Sequence, residues 1–278
     1  MSYVERAAVF GCDGAELVGV LAIPESCGPR GVLVIVGGPQ YRAGSHRQLV
    51  LLSRDLAEAG VPVLRFDNRG MGDSEGEMRT FEAIDDDLRA AIDTFFEQVP
   101  ALREVVLWGL CGAASAALLY AHRDPRVSGL FLANPWVRTT DGMARTMVRQ
   151  HYLPRLLDRD TWRRLVRGRL NVRKSARDLA LAAWQALPGT QRKPPESFPL
   201  RMAEGLARFH GNVLIYISGN DFTGREFDEM CRTSPAWKRA LARPRLQWRR
   251  LPEANHTFST RGWRDQVSRW TQEWVTSW

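Results

Sequence analysis

Short apolar runs alternating with amphipathic stretches constrain this chain more than any other feature. GVLVIVGG (31–38), VPVLRFD (61–67), EVVLWGL (104–110), VSGLFLANP (127–135), NVLIYISGND (212–221) and RLQWRRLPE (245–253) each have the length of one strand. The first lacks polar alternation, as a strand buried on both faces requires. Between the runs lie helical stretches at 46–60, which closes on Gly60, at 81–98, from Gly112 to about His122, around 225–242 and from Gly262 to Trp278. Residues 3–24 precede them as a hairpin turning at CDGAE. The alternation predicts an α/β fold: a mostly parallel sheet with helices on both faces.

Residues 138–208 break the pattern, with tryptophans, helix-like arginine spacing and a proline-rich interruption, LPGTQRKPPESFP (187–199). The stretch is too long for a plain connection. It reads as a helical cap inserted into a core made of 1–137 and 209–278.

Charge follows the same division. The chain carries a net +8 with 36 arginines and three lysines, yet 138–208 alone holds 16 basic and six acidic residues. The insert is therefore strongly basic and the core slightly acidic. With no recognition-helix motif, zinc spacing or basic–aromatic sheet face, nucleic acid is not an expected partner. An anionic substrate, a polysaccharide or a membrane surface meeting the cap is the expectation that the segregation supports. Trp136, Trp162 and Trp184 either line an apolar acyl site or pack the cap's own core.

Cys12, Cys27, Cys111 and Cys231 are too few for a disulfide scaffold and lack the spacing of a zinc site. No metal or organic cofactor is expected. No run of about 18 apolar residues is present for a membrane span. The opening MSYVERAAVFGCDG has no basic-then-apolar leader, so a cytoplasmic location with reduced thiols is expected.

WGLCGAASAALLY (108–120) carries the chemistry. A strand ends at Leu110, turns at Cys111 and enters a helix at Gly112, and small residues at 109, 112 and 113 suit a crowded elbow. The turn places the Cys111 thiol at a helix N-terminus, where the dipole favours a thiolate. Asp221 follows ISGN at a second strand end, and His256, in EANHTFS, follows the last strand. Cys111, His256 and Asp221 thus offer a nucleophile, a base to take its proton and an acid to orient the base. VGGPQYRAGSH (36–46) follows the first central strand; its Gly38 or Gln40 N–H, with that of Gly112, would form an oxyanion hole, whereas Pro39 has no N–H. Ser115, one helical turn beyond Cys111, reads as a packing residue.

These motifs resemble the α/β-hydrolase fold family. RFDNRGMGDSEG (65–76) looks like its Asp-x-Arg-Gly-x-Gly-x-Ser turn, through Asp67, Arg69, Gly70, Gly72 and Ser74. The resemblance implies a structural role for that turn, with none in catalysis for Asp67 or Asp73. Together with GGPQYRAGSHRQ, GLCGAAS, SGNDFTGREF and NHTFS, it is most similar to the exosortase A system-associated hydrolase 1 group, bacterial proteins encoded with exopolysaccharide and protein-sorting machinery. The fold's usual Gly-x-Ser-x-Gly is altered here: Cys111 replaces serine, as in dienelactone-hydrolase-like relatives, and Ala113 replaces the last glycine. The triad's chemistry points to hydrolysis of a small acyl ester or thioester through an acyl-cysteine. Transfer of the acyl group to another acceptor, or a non-catalytic binding or assembly module, are the competing readings. The oligomeric state stays open.

Overall fold

The computed structural model describes residues 2–38, 40–138 and 197–278. Among these, strands β1 (Tyr3–Cys12), β2 (Ala15–Pro24), β3 (Arg30–Ile35), β4 (Val63–Phe66), β5 (Glu104–Leu110), β6 (Val127–Ala133), β7 (Asn212–Ser218) and β8 (Leu246–Leu251) form one sheet. Its order is β1-β2-β4-β3-β5-β6-β7-β8. β1 pairs antiparallel with β2, and β2 with β4; every pairing from β4 to β8 is parallel. The chain has the α/β-hydrolase fold. The parallel direction brings the ends of β3, β5, β6, β7 and β8 to one edge.

The described helices are α1 (Gln48–Glu58), α2 (Asp85–Gln98), α3 (Gly112–Tyr120), α4 (Phe198–Arg208), α5 (Phe222–Thr233), α6 (Pro235–Leu241) and α7 (Arg261–Val275). Successive residues of a strand point to opposite faces, and β3 shows the consequence. Leu33 and Ile35 pack with Leu88, Phe95, Ala117, Met202 and Phe227 of α2 to α5, whereas Val32 and Val34 pack with Leu52, Leu56 and Trp274 of α1 and α7. Both faces are covered, so the central strands are mostly apolar.

Three details depart from the sequence reading. The stretch 225–242 is two helices: Ser234 is extended (φ −79°, ψ 124°) and Pro235 opens α6. Proline lacks the N–H needed to continue α5. α1 and α2 are each preceded by a 3-10 turn, Ser45–Arg47 and Phe81–Ala83.

Contacts divide the chain into a core unit, 1–137 with 198–278, and a second unit, 138–197. Helix α4, counted above with the insert, belongs to the core unit. Its Met202 and Leu206 are fully buried, and a Cβ at Gly205 would lie 2.1 Å from the Leu118 carbonyl oxygen of α3. The expectations for residues 139–196, including the cap helices, Trp162 and Trp184, lie outside the described residues. No helix of the described residues is long and apolar enough to cross a membrane.

Candidate active site

The elbow between β5 and α3 is built by close backbone contact. Cys111 has φ 61° and ψ −124°, a conformation costing a non-glycine residue about 1–3 kcal/mol. Neighbouring strands hold it there. Its N–H donates to the Ala133 carbonyl at 2.9 Å, and its own carbonyl accepts from the Trp136 N–H at 3.3 Å. Ser115 is buried, with its hydroxyl 2.7 Å from the Trp136 carbonyl and 3.3 Å from that of Cys111. It ties the elbow to the end of β6.

Glycine is required at two points. A Cβ at Gly109 would lie 2.5 Å from the Ala113 carbonyl carbon, and one at Gly37 would lie 2.7 Å from the Ala113 nitrogen. The loop after β3 therefore presses directly on the elbow. Crowding expected at Gly112 is not found: the nearest atom to a Cβ there is on the Phe81 ring, at 3.4 Å.

Asp221 ends the turn after β7 and caps α5. Its carboxylate accepts from Thr223 N at 3.2 Å, Gly224 N at 3.1 Å and His256 Nδ1 at 2.8 Å. Three donors on one buried carboxylate fix its orientation. His256 lies on the loop after β8 with its side chain one-third exposed. Its pKa is pushed up to about 10, first by the Asp221 hydrogen bond and next by the interaction with the Cys111 side chain; burial opposes both. The structure thus brings His256 between Asp221 and the half-buried Cys111.

The loop after β3 holds the other sequence-derived candidates. Gln40 donates its backbone N–H to the Gly38 carbonyl at 2.8 Å, so this donor is engaged within the loop. Gly38 has φ +64°, and its N–H donates to no described residue. Gly112 is the first residue of α3, where no carbonyl one turn back accepts the N–H. Gly38 and Gly112 therefore keep backbone donors that no described residue engages, Gly112 next to Cys111 in the chain.

Tyr41 and Arg42, which the sequence reading did not single out, anchor this loop. The fully buried Asp67 accepts from the Arg42 backbone N–H at 2.6 Å, from the Arg42 guanidinium and from Asp73 N at 3.1 Å. Asp73 accepts from Tyr41 Oη at 2.9 Å and lies 2.8 Å from Arg42. These carboxylates are engaged in holding loops, as expected of the Asp-x-Arg-Gly turn. Arg69 joins the same frame to Asp87 of α2 and to Asp13 of the hairpin turn. The overlooked signal was an aromatic–basic pair beside a glycine-rich loop. Among the described residues, no group of three His, Cys, Asp or Glu side chains could hold a metal ion.

Comparison with known proteins supports the family and the fold. Residues 28–208 match the family described as Hydrolase_4: Serine aminopeptidase, S33. A polyketide transferase, grgF, from Penicillium sp is 29% identical over 136 residues, which make up 46% of this chain and 44% of that protein. The match thus spans less than half the length of this curated relative. The Pyrococcus furiosus esterase Pf2001 superposes with a TM-score of 0.68 at 15% identity, covering 99% of this chain and 93% of that one. For the dienelactone hydrolase of Anabaena variabilis the TM-score is 0.63 at 15% identity, covering 100% and 99%. At such identities, these two likenesses show the fold alone.

Proposed function

The chain belongs to the Hydrolase_4 family, serine aminopeptidase S33, and on that premise we propose that it is an acyl hydrolase whose nucleophile is Cys111. The observation that carries the reading is His256, bonded to Asp221 at 2.8 Å and facing Cys111 at a strand-to-helix elbow. That family is described as serine-type, whereas this chain carries a cysteine at the elbow.

In the proposed reaction the Cys111 proton rests on His256, whose raised pKa favours the thiolate–imidazolium pair. The thiolate attacks an ester or thioester carbonyl, and the new S–C bond pushes an electron pair onto the carbonyl oxygen. The N–H groups of Gly112 and Gly38 stabilise that oxyanion. Its collapse expels the alcohol or thiol, which leaves with the proton carried by His256. The neutral imidazole then takes a proton from water, and hydroxide attacks the acyl-cysteine. Collapse of the second oxyanion releases the acid and restores Cys111, consuming one water per turnover. Asp221 keeps Nδ1 protonated and the ring oriented throughout.

Transfer of the acyl group to an acceptor other than water is the second reading, favoured by the sequence match to a polyketide transferase. The motifs shared with the exosortase A-associated group support a role beside exopolysaccharide and sorting machinery in the cytoplasm. In this reading the basic insert, centred on 138–208, meets an anionic substrate, a polysaccharide or a membrane surface. A hydrolase fold retained only for binding or assembly is the outcome if catalysis fails. The test is a panel of acyl esters and acyl thioesters of varied chain length, run on wild type and Cys111→Ala. Turnover that disappears in the variant supports the assignment; full turnover by Cys111→Ala overturns it, and appearance of acylated acceptor in place of free acid selects transfer.

A further inference from the structure

Behind His256 lies a buried polar chain to which neither the fold nor the proposed chemistry gives a role. Asn134, the residue just past β6, is fully buried and adopts φ 43°. Asparagine tolerates this left-handed region better than most residues, because its short side chain bonds locally. Here the amide bonds at long range. Its Oδ1 accepts from Ser218 N at 2.8 Å, and its Nδ2 donates to Ser218 Oγ at 3.0 Å and to the His256 carbonyl at 3.2 Å. Ser218 Oγ in turn donates to Tyr216 Oη at 3.0 Å. The Tyr216 ring meets Phe258, two residues beyond His256, edge to face at 6.0 Å.

A second amide grips the same loop. Gln48, at the start of α1, is 2% exposed and, with its amide nitrogen turned to the loop, donates to the Thr257 carbonyl at 2.7 Å. The peptide groups of His256 and Thr257 are thereby held from two sides. A buried amide with every bond made resists displacement, because moving it leaves polar atoms without partners in a place water does not reach.

We propose that Asn134 is a positioning residue which, through the His256 carbonyl, holds the imidazole in register with Cys111. Asn134 does not touch the reacting atoms. Its contribution rests on the proposed Cys111–His256 chemistry, but its geometric part does not. The groups facing the ring are the Asp221 carboxylate and the Cys111 thiol, so releasing the loop weakens the contacts that keep the ring protonated.

The experiment is an NMR titration of the His256 ring in wild type, Asn134→Gly and Ser218→Ala. Glycine accepts the positive φ and removes the amide, whereas Ser218→Ala cuts the chain one bond away and leaves the His256 carbonyl contact. Asn134→Gly is expected to lower the His256 titration midpoint by about one pH unit or more, while Ser218→Ala titrates as wild type. Asn134→Ala, which loses the amide and adds no charge, replaces the glycine variant if that fails to fold. With an acyl substrate, kcat falls on the order of tenfold to a hundredfold while KM changes little. A midpoint unchanged in both Asn134 variants, or shifted as far in Ser218→Ala, overturns the proposal. Because the titration needs no turnover, it stands or falls separately from the identity of the nucleophile.

Discussion

His256 Nδ1 lies 2.8 Å from Asp221 Oδ2, across 35 residues of sequence, and joins the loop after β8 to the turn after β7. The contact fixes which ring nitrogen faces the acid and leaves the other for chemistry. It also stores a pH dependence. The folded state holds the imidazole proton up to about pH 10, against an ordinary value of 6.5. A raised folded pKa contributes stability that is fully present below the unfolded value and is lost as pH rises through the folded one.

Wild type is therefore expected to exceed His256→Gln in unfolding free energy at about pH 6, with the gap closing between about pH 6.5 and 10. Denaturant titrations across that range check it. A gap that stays constant, or widens with pH, contradicts the assignment of the bond.

Thiol reactivity separates Cys111 from the other cysteines. Burial pushes the Cys12 thiol up to about 11 and that of Cys231 to about 12, and burial also raises Cys27. An alkylating probe at neutral pH should label Cys111 faster than the other three by about tenfold or more, and His256→Ala should slow the labelling of Cys111 while leaving the three other rates unchanged. Peptide mass mapping reads the result. Equal, slow labelling of all four favours the binding module over the hydrolase.

The elbow makes opposite predictions for two neighbouring glycines. Gly109→Ala drives a Cβ to 2.5 Å from backbone that cannot yield, and should cost about 1–3 kcal/mol or more in urea unfolding. Gly112→Ala meets only the Phe81 ring at 3.4 Å and should stay within about 0.5 kcal/mol of wild type. Equal costs at both positions would refute the described geometry.

The parallel strands were legible because burial on both faces forces continuous apolar runs, and Val32 to Ile35 are apolar for that reason alone. The elbow was legible because the approach of Ala113 to Gly109 leaves no room for a side chain. Strand order was not, since nothing local in Val63–Phe66 says that β4 lies between β2 and β3. The sequence puts the end of the insert at 208, whereas the contact-defined core unit resumes at 198, near the end of the proline-rich break. Helix α4 packs into the core because Met202 and Leu206 form one apolar side, a pattern that suits a cap equally well. Gln40 looked like a free donor until its own turn engaged the N–H. Asn134 left little trace, because a single amide at a strand end gains its meaning only from Ser218 and His256, far along the chain.

The acyl-enzyme tests the central claim most directly. Wild type is mixed with an acyl thioester that it turns over, quenched in acid within the first turnover, and its peptides are weighed. The account predicts the acyl mass on the peptide carrying Cys111, and neither adduct nor turnover in Cys111→Ala. Turnover at the wild-type rate by Cys111→Ala, or an acyl mass on any other residue, would contradict it.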